Sequence, residues 1–190
     1  MPNLNQRAAI LIDEVNIYRT AHRLHGDVRL NIQAVIDKLS HFEIVRVINY
    51  CVDTPENDTT IFKNKIRQIG VEVKTKPLKI FRNGVRKGDW DVGITVDAVQ
   101  LAPKVDIIVL ATGDGDFEHL VHYLKWHGVR VEVLAFQKRI SHELMRSIDA
   151  FIPIDRTLLK KKQTTNHNNN HKHNNNTTHT IAKGKSHEHK

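Results

Sequence analysis

Val105-Asp106-Ile107-Ile108-Val109-Leu110-Ala111-Thr112-Gly113-Asp114-Gly115-Asp116-Phe117 is the stretch on which the fold turns. The apolar run from Ile107 to Ala111, with Val105 just before it, is far too short to span a bilayer and suits a strand covered on both faces. Such strands belong to parallel sheets whose two faces carry helices. The run stops at Thr112, glycine and aspartate then alternate, and Asp116 to His127 reads as a helix that Gly128 ends.

The same grammar extends outward in both directions. Upstream, Asp91 to Leu101 predicts a helix closed by Pro103; downstream, Val129 to Ala135 predicts a strand, Ser141 to Ile148 a helix and Phe151 to Ile154 a last short strand. Near the start, Ala8 to Ile12 is another continuous apolar run. Glu14 to His25 follows with Ile17, Tyr18, Ala21 and Leu24 at helical spacing, and Asn31 to Leu39 repeats that pattern. Ile44 to Cys51 reads as a strand, Thr59 to Ile69 as a helix ended by Gly70, and Val71 to Thr75 as a short strand. Leu78 to Lys87 suits a hairpin around Asn83-Gly84. Strands alternating with helices at these lengths imply an α/β domain with a mainly parallel sheet flanked by helices, over residues 1–155.

From Arg156 the chain changes character. The 190 residues carry a net charge of +8, of which +7 falls in residues 156–190, so the body is nearly neutral. Asn, His and Thr dominate Gln163 to Thr180, with almost nothing apolar to bury, which predicts a disordered basic tail. Such a tail beside an acidic site suits a polyanionic substrate, while its histidines make only an opportunistic metal binder. Cys51 stands alone in an apolar stretch, which excludes an intrachain disulfide and a cysteine zinc cluster and predicts a buried, inert thiol. The opening residues are polar and no apolar run is long enough for a membrane helix, so a soluble, cytoplasmic protein is expected.

Acidic residues stand at the edges of the predicted elements. Asp13 follows the first strand, Asp91 opens a helix, and Asp114 and Asp116 follow the strand Val105 to Ala111. Sites in open α/β sheets form outside the carboxyl ends of strands, which brings Asp13, Asp114 and Asp116 together there. Gly113 and Gly115 permit a tight turn and close ligand approach. Crowded carboxylates raise one another's pKa values unless a cation sits among them. Mg²⁺ or Mn²⁺, which prefer carboxylate and water oxygens, is the cation that such a cluster suits.

Three motifs then resemble a known family. Asp13-Glu14-Val15-Asn16 after an apolar strand is similar to the opening of NYN domains of the LabA-like branch of the PIN-like nuclease superfamily. Lys87-Gly88-Asp89-Trp90-Asp91-Val92 with Asp97-Ala98, and Thr112-Gly113-Asp114-Gly115-Asp116-Phe117, resemble that branch's later motifs in the same order. The resemblance spans roughly residues 8 to 154. It implies a doubly wound PIN-like fold and a Mg²⁺- or Mn²⁺-dependent ribonuclease, with RNA, single-stranded by preference, as partner and a homodimer left open. Asp13, Asp91, Asp114 and Asp116 match the catalytic metal-site positions. Asn16 and Thr112 match polar positions that orient ligands or waters, and Lys87 matches a lysine that meets phosphate, so these three form the expected substrate-binding set. Asp97 matches a family aspartate too, but six residues past Asp91 it lies on another helix face, which suits a structural role. The family places a small residue directly after the first aspartate. Here Glu14 stands there: turned toward the cluster it adds a ligand or hinders an arriving phosphate, and turned to solvent at the helix start, the favoured expectation, it does neither.

Two other readings remain beside this one. A Toprim-like enzyme also uses an acid after the first strand and a later pair of aspartates, which Glu14, Asp114 and Asp116 could mimic. A non-catalytic RNA-binding or regulatory module would keep the fold without turnover. A dinucleotide-binding domain is disfavoured, because no G-x-G-x-x-G follows the first strand.

Overall fold

The computed structural model describes residues 6–54, 59–80, 82–83 and 86–162. Strand β1 (Arg7–Asp13) leads into helix α1 (Glu14–His25), then β2 (Val28–Leu30), α2 (Ile32–Lys38) and β3 (Glu43–Asp53). Next come α3 (Thr60–Gln68), β4 (Glu72–Pro77), the short antiparallel pair β5 (Lys79–Ile80) and β6 (Arg86–Lys87), and α4 (Asp91–Leu101). The second half runs β7 (Ile107–Ala111), α5 (Glu118–Trp126), β8 (Arg130–Ala135), α6 (His142–Ser147), β9 (Ala150–Pro153) and β10 (Leu159–Lys161).

Six strands form one sheet in the order β4-β3-β1-β7-β8-β9, every neighbouring pair parallel. Successive side chains of a strand point to opposite faces, and the two faces acquire different helices. Ile10, Ile12 and Val109 pack on Ile17 of α1, Val35 of α2 and Ile66 of α3. Leu11, Leu110 and Val131 pack on Ile94 of α4, Leu124 of α5 and Leu144 of α6. Both faces of β1 and β7 are thus covered, which is why their sequences are apolar without alternation. Truncating one of these buried leucines to alanine costs about 2–5 kcal/mol.

The winding places the site. From β1 the chain moves outward to β3 and β4, then crosses back to β7 on β1's other side and moves outward again to β8 and β9. Connections leave β1 and β7 toward opposite sides, so a crevice opens at their carboxyl ends. Ile12 pairs with Ala111 at the end of that ladder, and the next residues are Asp13 and Thr112.

Several details depart from the sequence reading. The antiparallel pair β2–β10, with Leu159 opposite Leu30, was not foreseen, and it keeps residues 156–161 within the fold although the tail was placed from Arg156. The helix expected from Asp116 begins as a 3-10 turn, Gly115–Phe117, and becomes α-helical at Glu118. The expected disordered segment, 163–180, lies outside the described residues. Cys51 is buried as expected, and burial pushes its thiol up to about 12. Among the described residues no helix is long and apolar enough to cross a membrane.

Candidate functional site

Asp13 ends β1 and caps α1: its Oδ1 accepts the Asn16 backbone N–H at 3.1 Å. An acid suits that junction because the first amides of a helix lack intrahelical acceptors. Its other oxygen accepts the Thr112 hydroxyl at 3.4 Å, and Thr112 Oγ1 accepts the Asp114 N–H at 3.3 Å. Asn16 Oδ1 accepts the Gly113 N–H at 3.0 Å, and Asp114 Oδ1 accepts the Asp116 N–H at 3.1 Å. The ends of β1 and β7 are cross-braced by these bonds.

Asp13 is only 5% exposed. Burial pushes its carboxyl up to about 6; the charges of Asp91 and Asp114 add to that, while the Asn16 N–H and Thr112 oppose it. Asp91 is also raised, by its partial burial first and then by Asp89, Asp114 and Asp116.

Trp90 fixes where α4 begins. Its indole Nε1 donates to the Cys51 carbonyl at 2.8 Å, its ring centroid lies 5.4 Å from that of Tyr50, and Lys76 Nζ stands 4.7 Å from it. Gly93 makes room for the ring: a Cβ there would lie 2.5 Å from a Trp90 carbon. Asp91 follows directly.

Asp13, Asp91 and Asp114 line one cavity of about 340 Å³, joined by Asp89, Arg19 and Arg23. The sequence reading missed these last three. Asn16, Arg19, Thr20 and Arg23 all line it and recur at helical spacing on one face of α1, the signal that could have found both arginines. Among the described residues no three Asp, Glu, His or Cys side chains are gathered as a ready cage for one ion. The donor set nevertheless suits a hard cation, because the carboxylates repel one another and Mg²⁺ uses only one or two of them with several waters.

Asp116, Thr112, Glu14 and the two loop glycines are placed differently from Asp13, Asp91 and Asp114. Asp116 is exposed and does not line the cavity; it holds Asp114 through its backbone N–H and acts on Asp91 only through charge. Thr112 is 2% exposed, and its hydroxyl donates to Asp13 and accepts from the Asp114 N–H. Glu14 does not face solvent. It is 8% exposed, turned away from the acid cluster, with Oε1 3.4 Å from Arg29 Nε; burial above all pushes its carboxyl up to about 7. Gly113 and Gly115 sit at the tight turn expected of them, and neither adopts positive φ. They are small for close packing, since a Cβ would meet Arg139 O at 2.7 Å and Ser141 Oγ at 2.9 Å respectively.

Asn16 lines the cavity, although its side-chain oxygen serves Gly113. Lys87 ends β6 one residue before Gly88, which also lines the cavity; the Lys87 side chain lies outside the described residues. Asp97 is structural as expected: it accepts Tyr50 Oη at 2.6 Å and Lys74 Nζ at 2.7 Å.

Comparison with known proteins follows the same lines. The family model described as NYN domain matches residues 7–155. The low amplitude and bright protein LabA of Synechococcus elongatus is 29% identical, over 63% of this chain and 77% of its own. The crystal structure of a protein of unknown function from Vibrio parahaemolyticus superposes with a TM-score of 0.76 at 32% identity, covering 83% of this chain and 98% of that one. With the family model spanning all six strands of the sheet, the chain belongs to the NYN domain family.

Proposed function

We propose that this protein is a metal-dependent ribonuclease that hydrolyses phosphodiester bonds of single-stranded RNA, with Mg²⁺ or Mn²⁺ held by Asp13, Asp91 and Asp114. The observation that carries this reading is that these three acids, from β1, α4 and the loop after β7, line one cavity beside Arg19 and Arg23. When bound, such a cation neutralises phosphate charge and makes a water more acidic.

The protein's own groups do the rest. Asp13 keeps both oxygens oriented through Asn16 N–H and Thr112, so little reorganisation is needed on loading. Arg19 and Arg23 supply planar, permanently charged donors suited to phosphate oxygens. Asp116, through its N–H, holds Asp114 in place without itself reaching the cavity.

A second reading, a non-catalytic RNA-binding or regulatory NYN module, draws support from the outward position of Asp116 and the spacing of the other acids. Short labelled single-stranded RNA incubated with Mn²⁺, Mg²⁺ or EDTA separates the two. Cleavage that needs the cation and disappears in Asp114→Asn supports the ribonuclease. Tight binding with intact RNA under every condition leaves only the second reading.

A further inference from the structure

Val15, Arg19 and Gly88 line the acid-cluster cavity on one side and a second cavity of about 220 Å³ on the other. Tyr18, Phe62, Val52 and Leu78 give the second cavity a largely apolar, partly aromatic wall. Glu14 and Arg29 also line it. The Glu14 carboxylate is 8% exposed, and neither of its oxygens accepts a hydrogen bond among the described residues. Arg29 Nε stands 3.4 Å from Glu14 Oε1, an ion pair without hydrogen-bond geometry, and it too lacks a hydrogen-bond partner. The guanidinium lies over Phe62, 4.0 Å from the ring centroid, and 5.3 Å from that of Tyr18.

Buried polar groups are almost always hydrogen-bonded, and a buried carboxylate that accepts nothing is costly. Here two acceptors and a donor, all unpartnered and with almost no solvent-accessible surface, lie side by side behind the aromatic wall of the cavity, so a ligand must part the side chains of that wall to meet them. At about 220 Å³ the cavity is smaller than the ~300 Å³ at which drug-sized sites begin, so it suits a single ring system. Single-stranded RNA is recognised in this way, by bases stacked on aromatic or guanidinium planes and hydrogen-bonded along their edges.

We propose that this cavity is a guanine-binding subsite for RNA, in which Glu14 accepts from the base's N1–H and N2 amino group while Arg29 donates to O6. Guanine alone offers two adjacent N–H donors beside a carbonyl oxygen. Adenine turns an unprotonated ring nitrogen toward the carboxylate, cytosine does the same beside its amino group, and uracil flanks its single N–H with two carbonyls. Because Val15 and Gly88 separate the two cavities, the guanine would belong to a nucleotide next to the phosphate at the acid cluster. That placement rests on the ribonuclease reading; the base preference does not.

The test is fluorescence anisotropy with the full-length protein in EDTA and labelled oligouridine carrying one guanine, hypoxanthine or adenine. Guanine is expected to bind about tenfold more tightly than adenine, with hypoxanthine, which lacks the N2 amino group, between them. Glu14→Gln is expected to bring guanine within about twofold of adenine, with a melting curve run to show that the variant is folded. If it is not folded, the three-base series on the unaltered protein decides the matter. Equal affinity for the three oligonucleotides, or binding to none, overturns the subsite whatever the protein cleaves. A guanine preference in a protein that never cleaves RNA with Mn²⁺ upholds the subsite and removes the ribonuclease reading instead.

Discussion

The side-chain oxygen of Asn16 accepts the backbone N–H of Gly113 at 3.0 Å, joining the first turn of α1 to the loop after β7 across 97 residues of chain. Asn16→Ala leaves that part-buried amide without its partner, at about 1–3 kcal/mol. Thermal melts are expected to register that loss, and single-turnover cleavage to slow more than RNA affinity weakens. Asn16→Asp keeps the acceptor but adds negative charge at the cavity, so it should recover stability without recovering rate. Unchanged melting in Asn16→Ala would show that the bond holds nothing.

Asp114→Asn is expected to abolish RNA cleavage and leave the fold intact. Asparagine still accepts the Asp116 N–H, so the turn keeps its cap. One negative charge fewer beside Asp91 should hold or raise the melting temperature in EDTA. Cleavage at the normal rate by the purified variant would remove Asp114 from the machinery.

Asp13 makes the metal-free protein sensitive to pH in a defined direction. Its folded-state pKa, about 6, lies above its ordinary value of 3.8, so between those values the folded chain holds a proton that the unfolded chain has released. The associated stability is complete at low pH and is lost as pH rises through 6, on the order of 3 kcal/mol. Glu14, pushed up to about 7, acts with the same sign. Urea midpoints in EDTA should therefore fall from pH 4.5 to pH 7.5 more steeply in the unaltered protein than in Asp13→Asn. Parallel profiles would contradict the assignment, and Mn²⁺ at pH 7.5 should restore stability only where Asp13 is present.

Arg19 and Arg23 give a prediction that salt dependence can check. Each arginine that neutralises a phosphate of single-stranded RNA contributes about 0.7 to the slope of log affinity against log salt. The double alanine variant should lose about 1.4 of that slope while melting normally, since both side chains are exposed. A retained slope would place the RNA backbone elsewhere.

What was legible in the sequence had one physical origin. Strands β1, β7 and β8 are covered on both faces, so their apolar runs stand out, and Asp13 and Asp114 could be placed because they follow such strands directly. Strands β2 and β10 escaped notice because three residues carry no period. The two aspartates of Asp114-Gly115-Asp116 suggested two ligands at one ion. The chain there makes a 3-10 turn of three residues per turn, so residues two apart point to different sides. Glu14 was misplaced because its orientation depends on Arg29, which returns from β2 to meet it, and spacing alone does not encode that meeting. Arg19 and Arg23 share the helix face of Asn16, but nothing in that spacing says that the face meets the acids, and Asp89 became meaningful only through the cavity between β1 and α4.

The central position of β1 also sets the order in which this protein assembles itself. Strand β1 finds its two sheet partners in β3 and β7, and the second of these lies about a hundred residues downstream. Until β7 emerges, one edge of β1 has no native partner, and such an edge invites pairing with other chains. The Thr112–Asp13 and Gly113–Asn16 hydrogen bonds close across the same gap, so the bracing between the end of β1 and the loop after β7 forms only with the slow, long-range closure of the sheet. A nascent or truncated chain ending before Ile107 thus carries Asp13, with its local Asn16 cap, and Asp91, but lacks Asp114 and the Thr112 hydroxyl that meets Asp13.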